Sequence, residues 1–177
     1  ETIIEQSYIQ DFVSPTADYV TILSIVPSLT GTDPNGPGLS EGNVKNTLRG
    51  LPDGQYGMSY DGIPFGDTNG PTHHSTSYFP ASIIGGVVIE RGPGNASNIG
   101  YSTYGGSVNL FSKTPSETQK TSISTSFGTW NTRLVAISHE TGRMKDSDAT
   151  LQLDAQQLTS DGYLTNAKID GTTLSGK

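Results

Sequence analysis

The chain has 177 residues, with 22 Gly, 10 Pro, no Cys and a formal net charge of -7; only 32% of residues are hydrophobic, and 21 Ser and 22 Thr fill the deficit. Such a composition excludes a helical bundle, because glycine favours turns, and a disulfide scaffold, because there is no sulfur to cross-link. The acidic balance argues against a nucleic-acid partner, and no apolar run is long enough for a membrane helix, a test that an alternating membrane β-strand would pass unseen.

Charge and pattern both change near residue 116. Residues 1–116 hold 4 basic and 10 acidic groups, residues 117–177 hold 6 and 7, and Pro115–Ser116 is taken as a domain boundary. In the first part, Thr2-Ile3-Ile4 suits an edge strand. Ser14-Pro15 reads as a helix start, and Tyr19, Ile22, Leu23 and Val26 fall on one helical face before Pro27 stops it. Thr30 to Asn43, rich in Gly, Pro and Asn, reads as loop. Short strands follow at Val44–Arg49, Gly57–Tyr60, Gly86–Arg91 and Gly106–Phe111, with a polar loop from Phe65 to Ser77 and a short helix begun by Pro80. The expectation is a small α+β domain with about four short strands in a mixed sheet, short helices and long loops. Loops of that length in a compact domain are usually functional.

From residue 117 the period becomes two. Ile123, Thr125 and Phe127 alternate with Ser122, Ser124 and Ser126; Gly128 to Asn131 turns; Val135 and Ile137 share one face of Thr132–Glu140. Leu151, Leu153 and Ala155 then alternate with Gln152, Asp154 and Gln156. Three antiparallel meander strands of about nine residues are expected, long enough to cross a bilayer when tilted. Thr159 to Lys177 is read as the start of a polar loop.

Few residues point to chemistry. Gly92-Pro93-Gly94 lacks the third glycine and the helix that a dinucleotide fingerprint needs. His73-His74 is the only paired His, and adjacent side chains on an extended segment diverge, so the plain reading is an exposed polar loop and no metal site. Asp61 and Asp67 stand in turns, and no catalytic constellation emerges, so no enzyme and no cofactor are expected. Arg49, Glu90 and Arg91 each end a predicted strand in a domain with few basic groups, where they could dock on an oppositely charged wall.

Four ordered motifs carry a resemblance. Thr47-Leu48-Arg49-Gly50-Leu51, Tyr60-Asp61-Gly62-Ile63-Pro64, Ile89-Glu90-Arg91-Gly92-Pro93 and Tyr104-Gly105-Gly106-Ser107-Val108-Asn109-Leu110 resemble, in order and spacing, the plug domain of TonB-dependent outer-membrane receptors. The likeness covers about residues 1–115, and residues 116–177 look like the first strands of the transmembrane β-barrel that follows. It implies a receptor in the outer membrane of a Gram-negative bacterium that binds a scarce nutrient, such as an iron chelate. Its plug gates a 22-stranded barrel, driven by the TonB-ExbB-ExbD complex. By that resemblance Arg49, Glu90 and Arg91 face the barrel wall, while Gln55, Tyr56, Phe65, Asp67, His73, His74 and Tyr101 are the expected ligand contacts. The loop Phe65–Tyr78 is longer and richer in His and Thr than in the commonest siderophore-receptor plugs, which leaves the ligand class open. Neither a TonB box nor a closable barrel is visible, so the reading is of an incomplete receptor with its barrel missing. The competing readings are a secreted β-rich binding or adhesin module and, from a third class, a hydrolase using the His73 loop.

Overall fold

The structure is a computed structural model that describes residues 1–32, 35–40, 45–67, 72–73, 79–92, 104–145 and 147–177. It divides into two compact units, Glu1–Lys113 and Thr114–Lys177. The first unit contains, in chain order, β1 (Thr2–Glu5), α1 (Gln6–Phe12), α2 (Tyr19–Leu23), β2 (Leu29–Thr32), β3 (Lys45–Leu48), β4 (Leu51–Pro52), β5 (Gly57–Tyr60) and β6 (Ile63–Pro64). A 3-10 turn (Ala81–Ile83), β7 (Ile84–Glu90) and β8 (Ser107–Ser112) complete it.

A mixed five-stranded sheet in the order β1-β7-β8-β5-β6 forms its backbone. Its pairs are antiparallel except β5 with β8, which run parallel with Met58 opposite Val108. β7 and β8 lie inside the sheet, so Val87, Ile89, Val108 and Leu110 are fully buried. Their Val/Ile/Leu content is what a strand covered on its faces requires. β1 is indeed the edge strand, Ile4 buried and Ile3 exposed. Gly106, at φ 116°, leads into β8; a Cβ there would stand 2.0 Å from the Glu90 carbonyl oxygen, so only glycine lets β8 enter beside β7.

The helical face is as expected: Tyr19, Ile22, Leu23 and Val26 are all buried. Its start is not. Asp18, not Ser14, caps α2, its Oδ1 accepting from the Thr21 amide at 3.0 Å and the Thr21 hydroxyl at 3.1 Å. Asp18 bridges to Pro80, and the Tyr19 amide donates to the Phe79 carbonyl, so residue 18 itself is held extended just before the helix. Ser14 instead closes a turn onto Ala17. α1 was not expected; it buries only Ile9 and has no side-chain cap, so the sequence carries neither stripe nor start signal. Part of the expected Thr30–Asn43 loop is strand: β2 pairs with β3, and β3 with β4, in a second sheet of three. The described residues of the first unit thus hold eight strands in two sheets, where an edge strand and about four more in one sheet were expected. The helix expected after Pro80 is a single 3-10 turn.

The second unit is an antiparallel meander of β9 (Lys120–Gly128), β10 (Thr132–Glu140), β11 (Gln152–Ser160) and β12 (Ile169–Gly176), in that order across the sheet. Trp130 and Asn131, both with positive φ, make the tight turn between β9 and β10. β12 corrects the reading of residues 159–177 as loop. Its large apolar residues are only Ile169 and Leu174, too weak a pattern to read alone, but its backbone pairs with β11 over eight residues.

Candidate functional site

In the first unit, the turn after β4 and the segment after β6 meet at one residue pair. Asp53 follows β4 directly. Its Oδ2 accepts the His73 amide at 2.6 Å and its Oδ1 lies 2.6 Å from His73 Nδ1. Asp53 also caps its own turn, accepting from the Gly54 amide at 2.9 Å. On the far side of His73, the Tyr19 hydroxyl donates to the His73 carbonyl at 3.2 Å. Both peptide groups and the ring of His73 are thus anchored, and its side chain is only 5% exposed. The expectation of an exposed polar loop at His73 is overturned: the carboxylate compensates the ring N–H, so the imidazole can leave water.

Aromatic rings continue from this pair. Tyr56 stacks on the imidazole with centroids 6.1 Å apart, and Phe65 meets it edge-on at 5.4 Å. Phe79 packs on both Phe65 and Tyr60 at 4.7 Å, and Tyr19 closes the group edge-on to Phe79. Asp67 and Thr72 tie the segment's two arms, by the Asp67 amide to the Thr72 carbonyl at 2.8 Å and the Thr72 hydroxyl to Asp67 Oδ2 at 2.6 Å. Burial raises the Asp53 pKa, but hydrogen bonds from the His73 ring and amide outweigh it and hold the carboxyl below its ordinary value. Burial, and then the nearby Asp18 charge, raises the Tyr19 pKa; burial and the Asp53 charge do the same at Tyr56. Both phenols are therefore neutral donors.

The expected ligand contacts fall into three groups. Gln55 is exposed at the turn, with Phe65 and Asp67 half-buried beside the anchored His73. Tyr56 and His73 are buried and form the floor beneath that surface, not its face. His74 and Tyr101 lie outside the described residues. Asp53, Tyr19 and Phe79 were missed. The pair Asp53-Gly54 was the available signal, but it reads first as a turn. Among the described residues, no group of three or more His, Cys, Asp or Glu could hold a metal ion.

The three strand-end charges also separate. Arg49 is exposed, and with Gly50 it makes the positive-φ turn joining β3 to β4. Glu90 is half-buried at the end of β7. Arg91 uses two donors inside the unit, Nε to the Ser28 hydroxyl at 2.8 Å and Nη2 to the Thr2 hydroxyl at 2.5 Å, tying β1 to the chain after α2.

The second unit presents two unlike faces. Register aligns Ile123, Ile137, Ala155 and Leu174 in one row across all four strands. Ile123 is 69% exposed and Leu174 77%, with Val135, Phe127 and Leu153 on the same face and also exposed. The opposite face aligns Ser122, Ser138, Asp154 and Ser175, and next to them Ser124, Ala136, Gln156 and Thr173. There Gln152 and Gln156 are buried, and Gln152 Nε2 donates to Asp154 Oδ2 at 2.8 Å. That face also buries Leu134 and Leu158 and leaves Ser122 and Ser124 exposed, so it is mainly polar; the other leaves Ile123, Phe127, Val135, Leu153 and Leu174 exposed, which a water-facing sheet avoids.

No family model and no curated protein sequence matches the chain. Solved structures do match. The ferripyoverdine receptor of the Pseudomonas aeruginosa outer membrane superposes with a TM-score of 0.68 at 16% identity over 90% of this chain and 20% of its own. The siderophore receptor PirA of Acinetobacter baumannii gives 0.68 at 18% identity over 90% and 24%. The alcaligin outer-membrane receptor FauA of Bordetella pertussis gives 0.67 at 18% over 90% and 26%. This chain therefore has the fold found in TonB-dependent siderophore receptors, and it spans about a quarter or less of the length of each such structure.

Proposed function

We propose that the first unit is the plug domain, and the second the first barrel strands, of a TonB-dependent outer-membrane receptor that takes up a ferric siderophore. The observation that carries this reading is the reversed polarity of the β9–β12 sheet. An apolar face that stays exposed needs lipid, and a Ser/Gln/Asp face needs a polar lumen. The likeness in fold to siderophore receptors supplies the substrate class. A plug lodged in such a lumen meets polar wall on its sides, which suits a domain so rich in Ser, Thr and Gly.

In this reading the reaction is transport, not bond chemistry, and the chain acts as a receptor, not an enzyme. Gln55, Phe65 and Asp67 offer an amide, a ring and a carboxylate to the incoming chelate, His74 and Tyr101 are further proposed contacts, and Tyr56 and His73 support them from below. Arg49, Glu90 and Arg91 pair with charges of the barrel wall. Energy comes from TonB with ExbB and ExbD, pulling on chain that precedes β1, so the Arg91 ties to Thr2 and Ser28 resist the first displacement.

The test is uptake of radioactive ferric siderophores by a Gram-negative host producing the receptor that contains this chain. Uptake that disappears without TonB, with the protein in the outer-membrane fraction, is the expected result. Recovery of the protein as a soluble monomer with Leu153 and Leu174 shielded from water would instead favour the secreted binding module.

A further inference from the structure

We propose that Asp53 is the positioning residue of the Gln55–Phe65–Asp67 surface, fixing His73 in its Nδ1–H tautomer and so locking the segment after β6 onto the turn after β4. An ionised carboxylate can only accept hydrogen bonds. Oδ2 is met by the His73 amide, so the ring nitrogen at 2.6 Å from Oδ1 must carry its proton there. Protonating the imidazole leaves that donor in place. The clasp is therefore independent of the charge on His73. Gln55 lies two residues beyond Asp53, and Thr72, bonded to Asp67, is the neighbour of His73, so one carboxylate joins the arm bearing exposed Gln55 to the arm bearing half-buried Asp67. Phe65 leans on the imidazole itself. Without the clasp nothing else among these contacts fixes the turn to the His73 ring at a polar atom; the Tyr19 bond holds the backbone of His73 to α2 instead.

The clasp stands on the described residues alone; that its surface meets ligand rests on the reading above. Imidazole nitrogen resonances of the ¹⁵N-His chain give the direct test, with His73 assigned by loss of its signal in His73→Asn. The wild type should show Nδ1–H. In Asp53→Asn the NH₂ group faces a donor whichever way the amide turns, the His73 N–H at the Oδ2 position or the Gly54 N–H at the Oδ1 position, so exchange of the His73 or the Gly54 amide should rise with the fold intact. Asp53→Leu accepts from neither, and exchange of the His73 amide should rise about tenfold or more. His73→Asn keeps a donor near the Nδ1 position and should hold the residue 73 amide near wild-type protection, unlike His73→Leu.

A wild-type Nε2–H tautomer, unchanged exchange of both the His73 and the Gly54 amides in Asp53→Asn, or unchanged exchange in Asp53→Leu would each overturn the proposal. If Asp53→Leu does not fold, the wild-type tautomer and the amide exchange in Asp53→Asn decide. Uptake of ferric pyoverdine by cells separates the two readings. With uptake present, Asp53→Leu should raise KM about tenfold with maximal rate retained and Asp53→Asn should fall between it and wild type; equal KM in all three overturns the positioning role. Absence of uptake by the wild type counts against the pyoverdine form of the receptor reading, and the tautomer result judges the clasp by itself.

Discussion

Replacing Ile137 by Lys separates a lipid-facing sheet from a water-facing one by magnitude. Ile137 is the sixth of the nine residues of β10, 45% exposed, and flanked in register by Ile123 and Ala155. In a bilayer that position lies near mid-depth, where a Lys on the lipid face costs about 2–4 kcal/mol. On a sheet facing water, the same exposed substitution changes stability by only about 0.5 kcal/mol. Leu153, the second residue of β11, shares the face but lies close to a strand end, so Leu153→Lys should cost about 0–1 kcal/mol. The assay is urea unfolding of the receptor in phosphatidylcholine bilayers, followed by band shift on gels. An Ile137→Lys midpoint equal to wild type, or costs equal at both positions, would refute the lipid-facing assignment.

Gly106→Ala should destabilise the first unit by about 3 kcal/mol or more, because the new methyl meets the Glu90 carbonyl at a positive φ. Gly62→Ala, also at positive φ but with nothing within 4 Å, should cost only about 1–2 kcal/mol; equal losses in chemical denaturation would show that the close approach is not limiting. Asp18→Ala removes the cap of α2 and should cost about 1–2 kcal/mol, with Asp18→Asn recovering much of it in the same denaturation assay. The depressed pKa of Asp53 adds stability that is present above the ordinary carboxylate value of 3.8 and is lost as pH falls through the lower folded value. Denaturation midpoints measured down through that window should fall less steeply in Asp53→Asn than in wild type, and identical acid limbs would remove the His73 contact as the cause.

Local pattern was a good guide where one element's side chains had a single job. The period of two in Thr132–Glu140 and the face Tyr19, Ile22, Leu23, Val26 both hold, because burial on one side repeats with the backbone's own period. It failed where pairing partners are distant. Thr30–Thr32 reads as loop around Gly31, yet β3 completes its hydrogen bonds, and Ile169–Gly176 is strand because β11 offers it eight partners. The α2 start moved from Ser14 to Asp18 for the same reason: a bridge to Pro80, 62 residues away, holds Asp18 extended as the residue before the helix.

The candidate surface divides along the same line. Composition, the alternating apolar residues and the motifs from Thr47 to Leu110 were sufficient for the mostly β architecture and the resemblance to an outer-membrane receptor, since each is a property of neighbouring residues. They could not distinguish His73, buried and clasped, from a histidine on an open loop. That depends on Asp53, 20 residues earlier, and on Tyr19, 54 residues earlier, arriving at one ring. The 43 Ser and Thr residues were legible as a number. Only pairing register put Ser122, Ser138, Asp154 and Ser175 together on one face of the second unit and left Ile123, Ile137 and Leu174 on the other, because a sheet's sides are set by which strands meet and at which residue.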